Sequence, residues 1–208
     1  MPRYKKDQRE QVLKQTRQLL LEAAAVEIAQ KGYVGANINR ISKSAGFAKG
    51  TIYNHFSSKR TLMYALIDEV AGAHFDFIVQ QVLQEEDPAQ RLGRFFEAGF
   101  AWVANNLPQG LVMVITLYGP DPDFKQRLGE AYLPMFQFVS QSIIAPGIEQ
   151  GAFQQVDPNT TANLLMTLYL GTGSQLNESG KHWMDPRQVA AFALNALRRT
   201  NASPRKEI

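Results

Sequence analysis

Cysteine is absent from this 208-residue chain, which excludes a disulfide framework and any thiolate metal site. A chain without cysteine suits a reducing compartment, and the expectation is a cytoplasmic protein. Long apolar runs are missing too: none approaches the roughly 18 residues of a membrane span. The opening MPRYKKDQREQVLKQTRQ lacks the apolar stretch of a signal peptide, so no membrane is expected as a partner. Histidine is scarce. His55, His74 and His182 are far apart, and neither a metalloprotease spacing nor a nucleophile elbow, phosphate loop or dinucleotide fingerprint accompanies them. Catalysis is therefore not expected, and neither a metal nor a cofactor is implied.

Acidic residues are sparse in one part of the chain only. Residues 1 to 60 hold 12 Lys or Arg against 4 Asp or Glu, a balance of +8, whereas residues 61 to 208 hold 10 against 15, a balance of −5. The split points to a basic module that meets a polyanion and an acidic body that does not. Apolar residues, at 45%, are plentiful and fall at helical spacing. In TRQLLLEAAAVEIAQKG they form one stripe stopped by Gly32, which predicts a helix over roughly residues 6 to 31. Asn37 then caps a short helix with Ile38, Ile41 and Ala45 on one face, ended by Gly46.

The next segment, AKGTIYNHFSSK from Ala48 to Lys59, is a poor helix former, with a glycine, a Thr-Ile pair and several Ser or Asn. Two short helices after a longer one, separated by a glycine-containing turn, make the helix-turn-helix pattern. In that frame Ile52 and Phe56 dock inward, while Lys49, Thr51, Asn54 and Tyr53 lie towards the outside. Gly50 lets the backbone come close to a phosphate or base. Ser57 or Ser58 caps a long helix of about residues 57 to 83.

The run from Leu20 to Leu66, with KGY at 31 to 33, ISKSAG at 41 to 46, KGTIYNHF at 49 to 56 and SKRTL at 58 to 62, closely resembles the DNA-binding domain of the tetracycline-repressor (TetR) family. The resemblance implies an all-α protein of about nine helices. Residues 1–56 would be the DNA-binding domain and 57–208 an effector-binding and dimerisation domain, joined by the long helix. It implies that Lys49, Gly50, Thr51 and Tyr53 lie nearest the bases and phosphates of a double-stranded operator, with Asn54 and His55 beside them and Lys59 on the backbone. Asn37, with the free backbone N–H groups at the helix start, and Asn39 and Arg40 in the first turn of that helix can also reach DNA. Arg3, Lys5, Lys6 and Arg9, ahead of the first helix, read equally as an arm for phosphates or as a solvated tail. The family usually has a hydroxyl residue where this chain has Ala36 and Ala48, so contacts there must differ.

The rest of the chain stays helical. Asp-Pro pairs open several segments, and LPQGLVMVITLYG reads as helix from context although its β-branched content suits a strand. The segment from Asp121 reads as one long helix bent or broken near Pro134 and Pro146. By the resemblance, the last two helices pair with those of a second copy in a homodimer, through Leu164, Leu168, Gly171, Val189, Phe192 and Leu197. A small hydrophobic effector would sit in a pocket. Its candidates are Phe96, Phe100, Trp102, Met113 and Leu117, together with Tyr118, Phe136, Ser140, Met166 and Tyr169. The implied function is a sequence-specific transcriptional regulator, a repressor that binds a palindromic operator as a dimer and is released by the effector. The competing reading keeps the fold and recruits a protein partner instead of sensing a ligand.

Overall fold

The computed structural model describes the backbone of residues 2–177 and 179–198, with side chains from residue 8 onward. Among the described residues the chain forms helices and no sheet. They are α1 (Pro2–Gly35), α2 (Ile38–Ser44), a 3₁₀ turn (Thr51–Asn54), α3 (Lys59–Val82), α4 (Pro88–Asn105), α5 (Leu107–Tyr118), α6 (Pro122–Phe138), a π-helical stretch (Val139–Ile144), α7 (Ala145–Glu149), α8 (Pro158–Gly173) and α9 (Pro186–Leu197).

Packing divides these elements into two compact units. The first holds the chain up to Gly72 together with Asn106–Ala131, and the second holds Ala73–Asn105 and the chain from Tyr132 onward. This division does not fall at residue 56, because α1 packs on α5 as well as on α2. Helices α3 and α6 each pass from one unit to the other without a break in the helix.

The helix starts follow from side-chain chemistry. Four Asp-Pro pairs, at 87, 121, 157 and 185, each open a helix. Asp87 Oδ1 accepts from Gln90 N at 2.9 Å, Asp121 Oδ1 from Asp123 N at 3.0 Å, Asp157 Oδ1 from Thr160 N at 2.7 Å and Asp185 Oδ1 from Arg187 N at 2.9 Å. The following proline occupies the first helical position, where its missing N–H costs nothing. At the start of α3 the cap is Ser58, and it is reciprocal. Its Oγ accepts from Thr61 N at 3.1 Å, and Thr61 Oγ1 accepts from Ser58 N at 3.0 Å. Helix α1 begins at Pro2, so Arg9 lies inside it and the basic segment is no separate arm. The side chains of Arg3, Lys5 and Lys6 lie outside the described residues.

From Pro122 to Glu149 the chain is one helical run with its irregularity concentrated between the two prolines. Pro146 has no N–H to give Ser142 four residues back. The freed Ser142 carbonyl accepts instead from Arg91 Nη1 at 3.0 Å, and Arg91 Nε donates to the Glu85 carbonyl at 2.8 Å. The turns before Pro146 open into the π-helical stretch, Val139–Ile144. The ambiguous segment 107–118 is helical, with Gly110, Val112, Met113 and Thr116 inward.

The second unit has its core where α4 and α8 meet. Phe95, Phe96 and Phe100 are almost wholly buried, and Tyr169 lies among them with ring centroids 4.9, 6.1 and 6.0 Å away. Among the described residues no single helix is long and apolar enough to cross a membrane.

Candidate nucleic-acid interface

The stripe Leu20, Leu21, Ala24, Ala25 and Ile28 of α1 is buried, and α2 packs against that helix. Ile41, Ile52 and Phe56 are also buried, and the Arg17 guanidinium lies 5.1 Å from the Phe56 ring centroid. The turn between α2 and the next element is fixed in two ways. Gly46 takes a φ of +84°, which a side chain would resist. Ser42, fully buried, donates its hydroxyl to the Ala48 carbonyl at 2.7 Å. Ala48 lacks the expected hydroxyl, yet its carbonyl carries a structural bond; Ala36 is buried.

The expected recognition helix is a four-residue 3₁₀ turn, Thr51–Asn54. Thr51 N bonds the Ala48 carbonyl at 3.0 Å and Tyr53 N the Gly50 carbonyl at 3.2 Å, both i to i+3, before Phe56 N returns to α spacing on the Ile52 carbonyl at 2.9 Å. Weak helix formers without a side-chain cap leave the tertiary anchors Ile52 and Phe56 to set the conformation. With those two inward, Lys49, Gly50, Tyr53 and Asn54 are exposed, while Thr51 and His55 are half-buried. Gly50 has a negative φ, and a Cβ there would meet nothing within 4 Å. Nothing inside the described chain demands glycine at that position.

The start of α2 corrects one expectation. The backbone N–H groups of Asn39 and Arg40 are not free for phosphate, because Asn37 Oδ1 already accepts from them at 2.9 Å and 3.2 Å. Asn37 N in turn donates to Glu27 Oε1 at 3.1 Å. Asn37, Asn39 and Arg40 remain exposed through their side chains. Lys59 is half-buried: its ammonium donates to the Val34 carbonyl at 2.9 Å and sits 4.9 Å from the Tyr33 ring centroid. Desolvation lowers its pKa below the ordinary lysine value, partly opposed by the Glu27 carboxylate. Its neighbour Arg60 is spoken for, pairing with Asp121 at 3.0 Å and with Asp123, and its Nε bonds Tyr64 Oη at 3.0 Å.

The pocket candidates separate by unit. Met113, Leu117 and Tyr118 lie on α5 in the first unit, and Phe96, Phe100, Trp102, Phe136, Ser140, Met166 and Tyr169 belong to the second. Tyr118 is 64% exposed, a correction that follows from its place past the inward stripe of α5. Ser140 donates to Asn159 Oδ1 at 2.8 Å, so its hydroxyl already has a partner. Of the dimer candidates, Leu164 and Phe192 are each 67% exposed, and Leu168 and Gly171 are half-buried. Val189 and Leu197 are each 5% exposed and are corrected to the chain's own core. They share the inner stripe of α9 with Ala190 and Ala193, which turns Phe192 outward.

Sequence reasoning missed the polar centre of the second unit. His74 on α3 is fully buried, with Nδ1 2.8 Å from Tyr132 Oη, Nε2 2.8 Å from Tyr169 Oη and its ring stacked on Trp102 at 4.4 Å. A lone histidine on an apolar helix face gives no sequence signal of two tyrosine partners 58 and 95 residues away. Burial pushes the His74 pKa down to about 3 from 6.5, against a smaller upward pull from a backbone hydrogen bond with Gly99. A base whose folded pKa is depressed stabilises the fold fully above its unfolded pKa. That stability is lost as the pH falls from 6.5 towards 3. The unfolding free energy of the parent minus that of His74→Gln is thus expected to fall by about 1 kcal/mol between roughly pH 6.5 and 5.5 in urea titrations. A difference that stays flat across that window would rule out a neutral, buried imidazole.

Residues 20–66 match the family model described as bacterial regulatory proteins, tetR family. The chain is 24% identical over 136 residues to the fatty acid metabolism regulator protein of Bacillus subtilis, covering 65% of this chain and 70% of that protein. It is 36% identical over 115 residues to the transcriptional repressor AcnR of Corynebacterium diphtheriae, covering 55% and 56%. The crystal structure of the regulator FadR from Bacillus subtilis, in complex with stearoyl-CoA, superposes with a TM-score of 0.75 at 20% identity, over 87% of this chain and 97% of that one.

Proposed function

We propose that this chain, whose residues 20–66 match the tetR family of bacterial regulatory proteins, is a regulator of that family that represses transcription from a palindromic operator as a homodimer and lets go when a small hydrophobic ligand binds. The observation that supports this most is the two-sided recognition segment. Ile52 and Phe56 are buried while Lys49, Tyr53 and Asn54 face outward, next to a glycine that the chain's own packing does not require. Lys49 can donate to guanine acceptors, Asn54 can pair with adenine, and Thr51 and Tyr53 can bond phosphate. Two such segments must stand one or more helical turns of DNA apart, so dimerisation through α8 and α9 is part of the mechanism. The ligand would occupy the aromatic and Met-containing interior of the second unit, which has to open to admit it because His74, Tyr132 and Tyr169 already bond one another there. To release DNA it must bind the non-binding arrangement more tightly than the binding one. The protein would act on DNA in the cytoplasm, without catalysis.

The test starts from duplexes selected out of a random-sequence pool by the parent protein. Lys49→Ala combined with Tyr53→Ala is expected to weaken binding to the selected duplex by more than about tenfold with an unchanged melting temperature. Undiminished binding by the folded double variant would remove the assignment of this segment. Thermal-shift screening of apolar small molecules, and of acyl-CoA thioesters as compounds that join an apolar chain to a charged nucleotide, then identifies those that both stabilise the protein and release the duplex.

A further inference from the structure

Glu27 runs against the electrostatics of its surroundings. The first sixty residues carry a balance of +8, and the surface bearing Arg40 and Lys49 is the one proposed to meet a polyanion. A carboxylate nonetheless lies behind it. Glu27 is 8% exposed, and its Oε1 accepts from Asn37 N at 3.1 Å and lies 2.9 Å from Arg40 Nε in an ion pair. Asn37 Oδ1 in turn accepts from Asn39 N and Arg40 N. One carboxylate oxygen therefore holds both the backbone that starts α2 and the side chain that follows it. Arg40 meets Glu27 at Nε, and its side chain is still 53% exposed, so the guanidinium fork can take a second acceptor.

We propose that Glu27 is a positioning residue for DNA recognition, holding Arg40 in one rotamer and Asn37 at the cap so that the guanidinium meets a phosphate in fixed register. This rests on the DNA-binding reading above. An arginine that is already ordered loses less freedom when it grips its target, and a guanidinium held at one edge can still make a forked contact with phosphate at the other. Simple electrostatics predicts the reverse of positioning: a negative charge near the DNA backbone repels it, so removing Glu27 should tighten binding to any duplex.

The two expectations differ in sign and are separable in one experiment. The full-length protein first enriches a duplex from a random-sequence pool, and a scrambled duplex of the same length and composition serves as the non-specific probe. Glu27→Met, which keeps the length and removes the acceptor, is expected to bind the selected duplex about tenfold more weakly and the scrambled duplex equally or more tightly. The slope of log affinity against log salt on the selected duplex is expected to shrink by about one in Glu27→Met and in Arg40→Ala alike. In the Arg40→Ala background the loss from Glu27→Met is expected to shrink to under about threefold. If Glu27→Met does not fold, Glu27→Gln takes its place. It retains an acceptor at the same position and is expected to show the same separation at about threefold. Tighter binding to both duplexes, an equal loss on both, or a loss that persists without Arg40 would each overturn the proposal. A parent protein that enriches no sequence at all would instead remove the DNA-binding reading, and this inference with it.

Discussion

Replacing Gly99 with alanine is expected to lower the unfolding free energy by about 3 kcal/mol, read as a lower urea midpoint at unchanged slope. A Cβ at this position would lie 2.3 Å from Tyr169 Oη, 2.5 Å from Cε2 and 2.6 Å from Cζ. The tyrosine cannot swing aside cheaply. Its ring is buried among Phe95, Phe96 and Phe100, and its hydroxyl bonds His74 Nε2 at 2.8 Å. Overpacking of a filled core costs about 1–3 kcal/mol, and separating Tyr169 from His74 strands a buried polar group at about the same cost. The gain in helix propensity from glycine to alanine, about 1 kcal/mol, offsets only part. Gly93 on the same helix is the control, because a Cβ there meets nothing within 4 Å. Gly93→Ala is expected to leave stability unchanged or raise it, and if both variants behave alike the close approach of α4 and α8 is not what Gly99 serves.

The second large effect concerns assembly. Leu164→Glu combined with Phe192→Glu is expected to convert the proposed homodimer to a monomer, measured by sedimentation at micromolar concentration, with the helical circular dichroism retained. Both side chains are 67% exposed, on α8 and α9, so glutamate at either position costs the isolated subunit little. In a two-fold interface each residue appears twice, and burying a Leu or Phe side chain contributes about 1.5–3 kcal/mol. Four such groups amount to a large share of the association energy, and four carboxylates in their place repel. Operator binding follows: a single recognition segment retains roughly half of the binding free energy, so affinity for the selected duplex is expected to fall by about a thousandfold or more. A double variant that still sediments as a dimer would place the subunit contact elsewhere.

How far the sequence reached differs by element. The helix starts were legible because Asp-Pro pairs and the Ser58 cap act locally, each side chain bonding an N–H two or three residues away. The inner face of the recognition segment was legible because Ile52 and Phe56 stand out among polar neighbours. Its 3₁₀ form was not, since four weak helix formers take whatever conformation their anchors impose. On α9, apolar content marked Val189, Phe192 and Leu197 alike, and only the packing shows that Phe192 alone of the three faces out.

By itself the sequence determined an all-helical chain, the local caps and breaks that set its segments, and a basic N-terminal module with an inward and an outward face. These depend on interactions within a few residues or on simple periodicity, and both can be read along a line. The tertiary structure alone decided that Glu27 lies behind Arg40, that Gly99 makes room for Tyr169, and that His74 bridges Tyr132 and Tyr169. Each of these joins positions between 13 and 95 residues apart, where the partner is chosen by how whole helices pack and not by any neighbour in sequence.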